Sequence, residues 1–79
     1  MYFVYAIKSL LDSRIYVGMS MNVQKRLMEH NSGKTKSTKG YKPWQLIYSE
    51  SLPSRVEARR KEKYLKSGVG KEFLKSLAP

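Results

Sequence analysis

Residues 15–30 read IYVGMSMNVQKRLMEH and join a short apolar segment to an amphipathic one through Gly18. The segment Ile15–Gly18 is rich in β-branched and aromatic residues and predicts a strand. Side chains alternate along a strand, so Tyr16 and Gly18 are expected on one face, with Ile15 and Val17 on the other. The fold is organised around this junction between a strand and a helix.

The second half of this stretch predicts a helix from about Asn22 to Asn31. Ser20 or Asn22 is expected to cap its start, and Gly33 to end it in the left-handed conformation. At about 100° per residue, one arc of this helix collects four side chains, while Lys25 and Met28 point away. The four are Val23, Arg26, Leu27 and His30. Arg26 and His30 are therefore expected to border the buried face.

The flanking segments predict two further strands. Tyr2–Ile7 reads as a strand with Phe3, Tyr5 and Ile7 on one face, and residues 8–14 form the turn of an antiparallel hairpin. Residues 32–43 form a loop rich in Gly, Ser, Thr and Lys. Trp44–Ser49 is expected to be a third strand, with Trp44, Leu46 and Tyr48 on a shared face.

Two helices are predicted in the last third of the chain. Ser54 is expected to cap a helix that runs to about Lys66, with Glu57 as its capping-box partner. Residues 67–70 read as a break, and Lys71–Leu77 as a short terminal helix. The prediction is one α+β domain over residues 1–79, with helices packed on a three-stranded antiparallel sheet in the order β-β-α-β-α-α.

Composition narrows the possible functions. The net charge is +10, from 16 Lys and Arg against 6 Asp and Glu, which favours a polyanionic partner such as nucleic acid. The chain has no Cys, which excludes a disulfide framework and a Cys-based zinc site. No apolar run approaches the roughly 20 residues that cross a bilayer, so no membrane association and a cytoplasmic location are predicted.

Several side chains have both a structural and a functional interpretation. Tyr5 and Tyr16 form an ordinary cross-strand pair unless a ligand approaches over Gly18. Arg26 and His30 form a surface pair, or else a phosphate clamp beside a proton carrier. Glu62 is a helix salt-bridge partner, or else a carboxylate directed toward the sheet beside Ala58 and Leu65, where it needs a cation.

The loop after the first helix also has two interpretations. Its lysines, Lys34, Lys36, Lys39 and Lys42, form either a solvated charge run or a track for a phosphate backbone. Tyr41 and Trp44 lie among them in sequence and are candidates to stack a base.

In this order, the residues resemble the GIY-YIG nuclease domain, and most closely its small stand-alone members akin to the N-terminal domain of the bacterial excision-repair endonuclease. The likeness covers nearly the whole chain, including YVG at residues 16–18, HNSGK at 30–34 and the EARRKEKYLKSG run at 57–68. The first motif here reads Phe3-Val4-Tyr5, which keeps the tyrosine without the glycine.

By this resemblance, Tyr5, Tyr16, Arg26, His30 and Glu62 are the catalytic residues, and Gly18 is the second motif's glycine in the substrate site. The resemblance implies hydrolysis of DNA phosphodiesters by water, with one Mg²⁺ or Mn²⁺ held by Glu62. Tyr5, or else Tyr16, would accept the water's proton, which requires a phenol pKa well below about 10. The resemblance also implies a DNA substrate, for which a structured or branched form is one option, and targeting by the domain itself, by a homodimer or by a protein partner.

Two alternatives stay open. A non-catalytic nucleic-acid-binding module on the same fold predicts salt-sensitive binding without cleavage. A protein-interaction module with a basic face predicts no nucleic-acid binding even at low salt.

Overall fold

The computed structural model describes residues 1–77 and confirms the predicted α+β class and element order. A 3-10 turn, Lys39–Tyr41, interrupts the loop before the third strand. The strands are β1 Tyr2–Ser9, β2 Ile15–Ser20 and β3 Trp44–Leu52, and the helices are α1 Val23–Ser32, α2 Arg55–Lys66 and α3 Gly68–Leu77.

The sheet is antiparallel, with strand order β2-β1-β3. β1 lies in the centre, and Tyr5 pairs with Gly18 on one side and with Ser49 on the other. β2 is therefore an edge strand, and Gly18 lies at that edge beside the central tyrosine.

Helices cover both faces of the sheet, so the core has two layers. As the alternation predicts, Phe3, Tyr5 and Ile7 pack on one face with Val23 and Leu27 of α1. Val4 and Ala6 of β1 lie on the opposite face, where they pack with residues of α2 and α3. β1 thus separates the α1 layer from the layer formed by α2 and α3.

The predicted helix ends are confirmed at three positions. Asn22, not Ser20, caps α1, because its side chain accepts a hydrogen bond from Lys25 N at 3.0 Å. Gly33 ends α1 with φ of 84°, which glycine adopts without a steric penalty. Ser54 caps α2 by accepting a hydrogen bond from Glu57 N at 3.2 Å.

The predicted alternation of β3 is wrong beyond Leu46. Leu46 pairs with Ile7 and Tyr48 pairs with Ala6, so Ile47 is an extra residue that forms a β-bulge. The bulge reverses the alternation, and Tyr48 therefore packs in the layer of α2 and α3, edge-on to Phe73.

The predicted end of α2 at Lys66 is confirmed, but the predicted break at residues 67–70 is confined to Ser67, because α3 begins at Gly68. Ser67 Oγ accepts a hydrogen bond from Gly70 N at 3.3 Å and so caps α3. Gly70 is buried where α3 meets α2, and a Cβ atom there would lie 2.1 Å from Tyr64 O. This glycine serves close helix packing and does not interrupt the helix.

Among residues 1–77, none of the helices combines the length and apolar character needed to cross a membrane.

Candidate active site

Tyr5, His30 and Thr38 form a buried hydrogen-bonded chain on the α1 face of the sheet. Tyr5 Oη lies 2.9 Å from His30 Nε2, and His30 Nδ1 lies 2.8 Å from Thr38 Oγ1. The three residues are at most 1% exposed. Both imidazole nitrogens therefore have partners, as a buried polar side chain requires.

The direction of these hydrogen bonds follows from Thr38. Its hydroxyl has one proton, which it donates to the carbonyl oxygen of Thr35 at 3.3 Å. Thr38 Oγ1 must then accept from His30 Nδ1–H, which leaves Nε2 of the neutral imidazole without a proton. His30 Nε2 accordingly accepts a hydrogen bond from the Tyr5 hydroxyl.

Gly18 gives the Tyr5 hydroxyl its space at the sheet edge. A Cβ atom at residue 18 would lie 2.7 Å from Tyr5 Oη and 3.1 Å from Tyr16 Cε1. The absence of a side chain thus lets the Tyr5 phenol lie across β2 toward the edge. The backbone at Gly18 has no positive φ, so this glycine is required for space alone.

Tyr16 packs edge-on against His30, with 4.9 Å between ring centroids, and is partly exposed. Trp44 completes this aromatic cluster but is only 4% exposed, and its indole N–H donates to Thr38 O at 3.0 Å. The prediction that Trp44 stacks a base is therefore wrong, because its ring is enclosed in the core. Tyr41 has the Arg14 guanidinium 3.4 Å from its ring centroid, which covers one of its faces.

Arg26 lies beside Tyr5 and remains partly exposed, with 32% of its side chain accessible. Its guanidinium donates to Glu29 Oε1 at 2.7 Å, and this hydrogen bond lowers the pKa of Glu29. This contact with Glu29 fixes the orientation of the planar Arg26 guanidinium and leaves its other N–H groups available. A cation held this way at a site rim is suited to a phosphate oxygen.

The electrostatics of Tyr5 differ from the sequence prediction. Burial raises the pKa of the Tyr5 hydroxyl, and the neighbouring Arg26 offsets only part of this effect. Burial also lowers the pKa of His30, and the positive charge of Arg26 adds to this shift. Near neutral pH, the protein alone thus holds a neutral phenol that donates to a neutral imidazole. A low phenol pKa in the presence of the metal stays a prediction.

Glu62 lies apart from these residues. Its helix, α2, packs on the opposite face of the sheet, where Ala58 and Leu65 are buried. The Glu62 side chain is 16% exposed and lies 3.5 Å from both Arg59 Nε and Lys66 Nζ. The expected direction toward the sheet agrees with this burial, but the sheet separates the two halves of the candidate site, with Tyr5 and His30 on one face and Glu62 on the other.

The donor set at Glu62 fits one type of metal site. No group of three or more His, Cys, Asp or Glu residues that could hold a metal ion occurs within residues 1–77. A single partly buried carboxylate fits a Mg²⁺ or Mn²⁺ ion that takes its remaining ligands from water and from a substrate phosphate. It does not fit an ion held by protein ligands alone.

The four loop lysines, Lys34, Lys36, Lys39 and Lys42, are all exposed. The same loop sends Thr38 inward to His30, so the loop is tied to the buried chain while its charges face solvent. Sequence reasoning missed Thr38 and Glu29. Glu29 carries a weak signal, since it follows Arg26 by one helical turn, whereas nothing in the loop sequence distinguishes Thr38 from Thr35.

A three-stranded sheet with a buried Tyr5–His30 pair on its α1 face and an adjoining Arg26 agrees with the nuclease-domain resemblance of the sequence. A family model, the GIY-YIG catalytic domain, matches residues 1–75. The chain belongs to the GIY-YIG family, which is a family of nucleases acting on nucleic acid.

Proteins of similar size resemble this chain. It is 36% identical over 77 residues to a UPF0213 protein of Staphylococcus haemolyticus, an alignment that covers 96% of this chain and 93% of that protein. It is 37% identical over 67 residues to a UPF0213 protein of Clostridium perfringens, covering 84% and 71%. The solution NMR structure of a UPF0213 protein from Bacillus halodurans superimposes with a TM-score of 0.58 at 37% identity, covering 98% of this chain and 85% of that one.

Proposed function

We propose that this protein is a divalent-metal-dependent endonuclease that hydrolyses phosphodiester bonds in DNA, in repair, recombination or DNA processing. The observation that carries the proposal is the Tyr5 hydroxyl. It lies 2.9 Å from His30 Nε2, beside Arg26 and over Gly18, which has no side chain. This geometry supports a hydroxyl that can pass its proton to His30 beside a cation suited to a phosphate oxygen.

The proton acceptor in this proposal is the Tyr5–His30 pair. Burial disfavours a free phenolate at Tyr5, so its proton has to leave as the water's proton arrives. The attacking water gives a proton to Tyr5 Oη, the Tyr5 proton passes to His30 Nε2, and the hydroxide oxygen bonds to phosphorus. The P–O bond to the leaving oxygen breaks, and that oxygen takes a proton from solvent.

Thr38 and Arg26 assist this step in different ways. Thr38 acts as a positioning residue, because it fixes the tautomer in which His30 Nε2 is free to accept the Tyr5 proton. Arg26 donates to a non-bridging phosphate oxygen and stabilises the negative charge that develops there. Glu29 keeps the guanidinium oriented toward the rim.

Glu62 would hold the single Mg²⁺ or Mn²⁺, with water and substrate phosphate as the other ligands. When bound, such an ion supplies positive charge that stabilises the leaving oxygen. Arg59 and Lys66 compete for the Glu62 carboxylate in the protein alone, which favours metal binding together with DNA over metal binding without it. The exposed lysines of the loop, Lys34, Lys36, Lys39 and Lys42, would contact phosphates along the DNA.

Cleavage of supercoiled plasmid and of branched duplexes tests the proposal. Nicking should require Mg²⁺ or Mn²⁺, cease with EDTA, and be lost in Glu62→Gln and Arg26→Ala while DNA binding in EDTA persists. Glu57→Gln is the matched control, because Glu57 is an exposed carboxylate on the same helix, α2, and lies outside the residues assigned above. Cleavage without metal, or full activity of Glu62→Gln, would refute the assignment.

A non-catalytic nucleic-acid-binding module is the second candidate. It is favoured because the Glu62 carboxylate already pairs with Arg59 and Lys66, and because it lies on the sheet face opposite Tyr5. Salt-sensitive binding of DNA without nicking, across both metals and all substrate shapes, would establish this alternative.

A further inference from the structure

A basic groove lies along the edge strand β2, outside the residues assigned above except for Tyr16. Its volume is about 530 Å³, and one wall is formed by residues 13–17, which include Arg14 and Tyr16. The opposite wall is formed by Lys66 at the end of α2 and by Lys71 and Lys75 of α3. We call this feature the β2 groove.

The lining of the β2 groove is strongly positive. It contains four cationic side chains, Arg14, Lys66, Lys71 and Lys75, and no acidic one among its described lining residues. Three of these cations have carboxylate neighbours outside the lining. Arg14 lies 2.8 Å from Asp12, Lys66 lies 3.5 Å from Glu62, and Lys75 lies 3.6 Å from Glu72.

Those neighbouring carboxylates do not neutralise the groove. Lys75 and its partner are largely exposed, and exposed pairs of this kind contribute only about 0–1 kcal/mol, so a phosphate can compete for the lysine. Within the described residues, no ion pair engages Lys71, which is exposed. The guanidinium of Arg14 is held over the ring of Tyr41, 3.4 Å from its centroid, which fixes one end of the groove.

The β2 groove also adjoins both halves of the candidate active site. Tyr16 lines it and packs against His30 with a centroid separation of 4.9 Å. Lys66 lines it from the other face of the sheet and lies 3.5 Å from the Glu62 carboxylate. A ligand along this edge is therefore next to the residues of both faces.

We propose that the β2 groove binds the phosphate backbone of DNA next to the scissile bond, with Lys71 and Lys75 as phosphate contacts. The inference rests on the proposed function for the identity of its substrate. It assigns DNA contacts to α3 and to the β2 edge, in addition to the lysines of the loop. Each phosphate neutralised by a lysine releases condensed counterions, so such contacts are visible in the salt dependence of binding.

Fluorescence anisotropy with a short DNA duplex in EDTA tests the groove without cleavage. Lys71→Gln/Lys75→Gln removes two groove cations and leaves the Glu62 neighbour, Lys66, in place. Loss of two duplex-phosphate contacts lowers the slope of log affinity against log salt by about 1.8, and weakens binding at low salt on the order of tenfold or more. The matched control, Lys25→Gln/Lys63→Gln, removes the same charge from exposed positions of α1 and α2 outside the groove and should change the slope much less.

Equal effects of the two double variants on the salt slope would overturn the proposal that the β2 groove binds DNA, because net charge alone would then account for the lost affinity. Amide chemical shifts in a duplex titration give a second measurement on the unaltered protein. Shifts at residues 13–17 and 71–75 are expected, and their absence while other regions respond would overturn the proposal. Groove binding without metal-dependent cleavage would refute only the nuclease assignment, whereas cleavage that is indifferent to Lys71 and Lys75 would refute only the groove.

Discussion

Gly18→Ala provides a sharp test of the active-site geometry. The added Cβ would lie 2.7 Å from Tyr5 Oη and 2.9 Å from Tyr5 Cζ. Ordinary contact begins at 3.4 Å, so the hydroxyl must move by about 0.7 Å. Tyr5 is 1% exposed and hydrogen-bonded to His30 at 2.9 Å, so it has no free space to move into without breaking that bond.

The magnitudes follow from this displacement. Overpacking of a core lowers the free energy of unfolding by about 1–3 kcal/mol. Ala has less chain entropy than Gly in the unfolded state, which raises the free energy of unfolding by about 0.4–1 kcal/mol. The net loss in the free energy of unfolding should lie within about 0–2.6 kcal/mol, with a central value of about 1.3 kcal/mol. Misplacement of a catalytic group by nearly 1 Å should lower kcat by roughly tenfold to a hundredfold, with less effect on KM.

Urea denaturation and steady-state plasmid nicking measure these two effects. Gly40→Ala is the matched control, because Gly40 has negative φ and a Cβ there meets nothing within 4 Å. In a Tyr5→Phe background, Gly18→Ala should cost less free energy of unfolding than in the wild type, since the closest clashing atom is gone. Unchanged kcat and stability in Gly18→Ala would refute the proposed placement of the Tyr5 hydroxyl over Gly18.

Three further predictions concern the buried chain and the helix contact. Burial lowers the pKa of His30, which is the chain's one histidine. As pH drops, the histidine of the unfolded state is therefore protonated before that of the folded state. The free energy of unfolding should fall as pH drops below about 6.5 toward the folded pKa. Urea midpoints at about pH 8 and about pH 5.5 measure this loss, and identical stabilities would contradict it. Thr38→Val leaves His30 Nδ1 without its acceptor, so we expect about 1–3 kcal/mol lower stability and a shifted pH profile of kcat, whereas Thr38→Ser should restore both. Gly70→Ala places a Cβ 2.1 Å from Tyr64 O and should cost about 3 kcal/mol or more in thermal or urea unfolding, while Gly68→Ala, with nothing within 4 Å, should be tolerated.

Much of the fold was predictable because local periodicity follows from backbone geometry. The two-residue repeat of β1 placed Tyr5 on the opposite face from Val4, and the helical repeat of α1 placed Arg26 and His30 beside its buried side. Side-chain capping by Asn22 and Ser54 and the left-handed Gly33 are equally local, so the sequence predicted them as well.

Other features depended on contacts between distant segments. The bulge at Ile47 arises in the pairing of β3 with β1, and the composition of β3 alone carries no sign of it. From sequence alone Gly70 is predicted to break a helix, whereas the structure shows that it allows close packing of α3 against α2. From sequence alone Trp44 is a candidate to stack a base, whereas tertiary packing encloses its ring in the core.

Local patterns were sufficient to predict the fold class and a set of candidate residues, and the resemblance of those residues to a known family pointed to the GIY-YIG domain. Three features of the site required the packed molecule: Thr38 orients His30, Tyr5 is buried as a neutral phenol, and Glu62 lies on the other face of the sheet. Hydrogen bonds between distant segments and desolvation arise only when those segments pack, so no local pattern encodes them. The β2 groove depends on packing in the same way, since its walls come from segments about 50 residues apart along the chain.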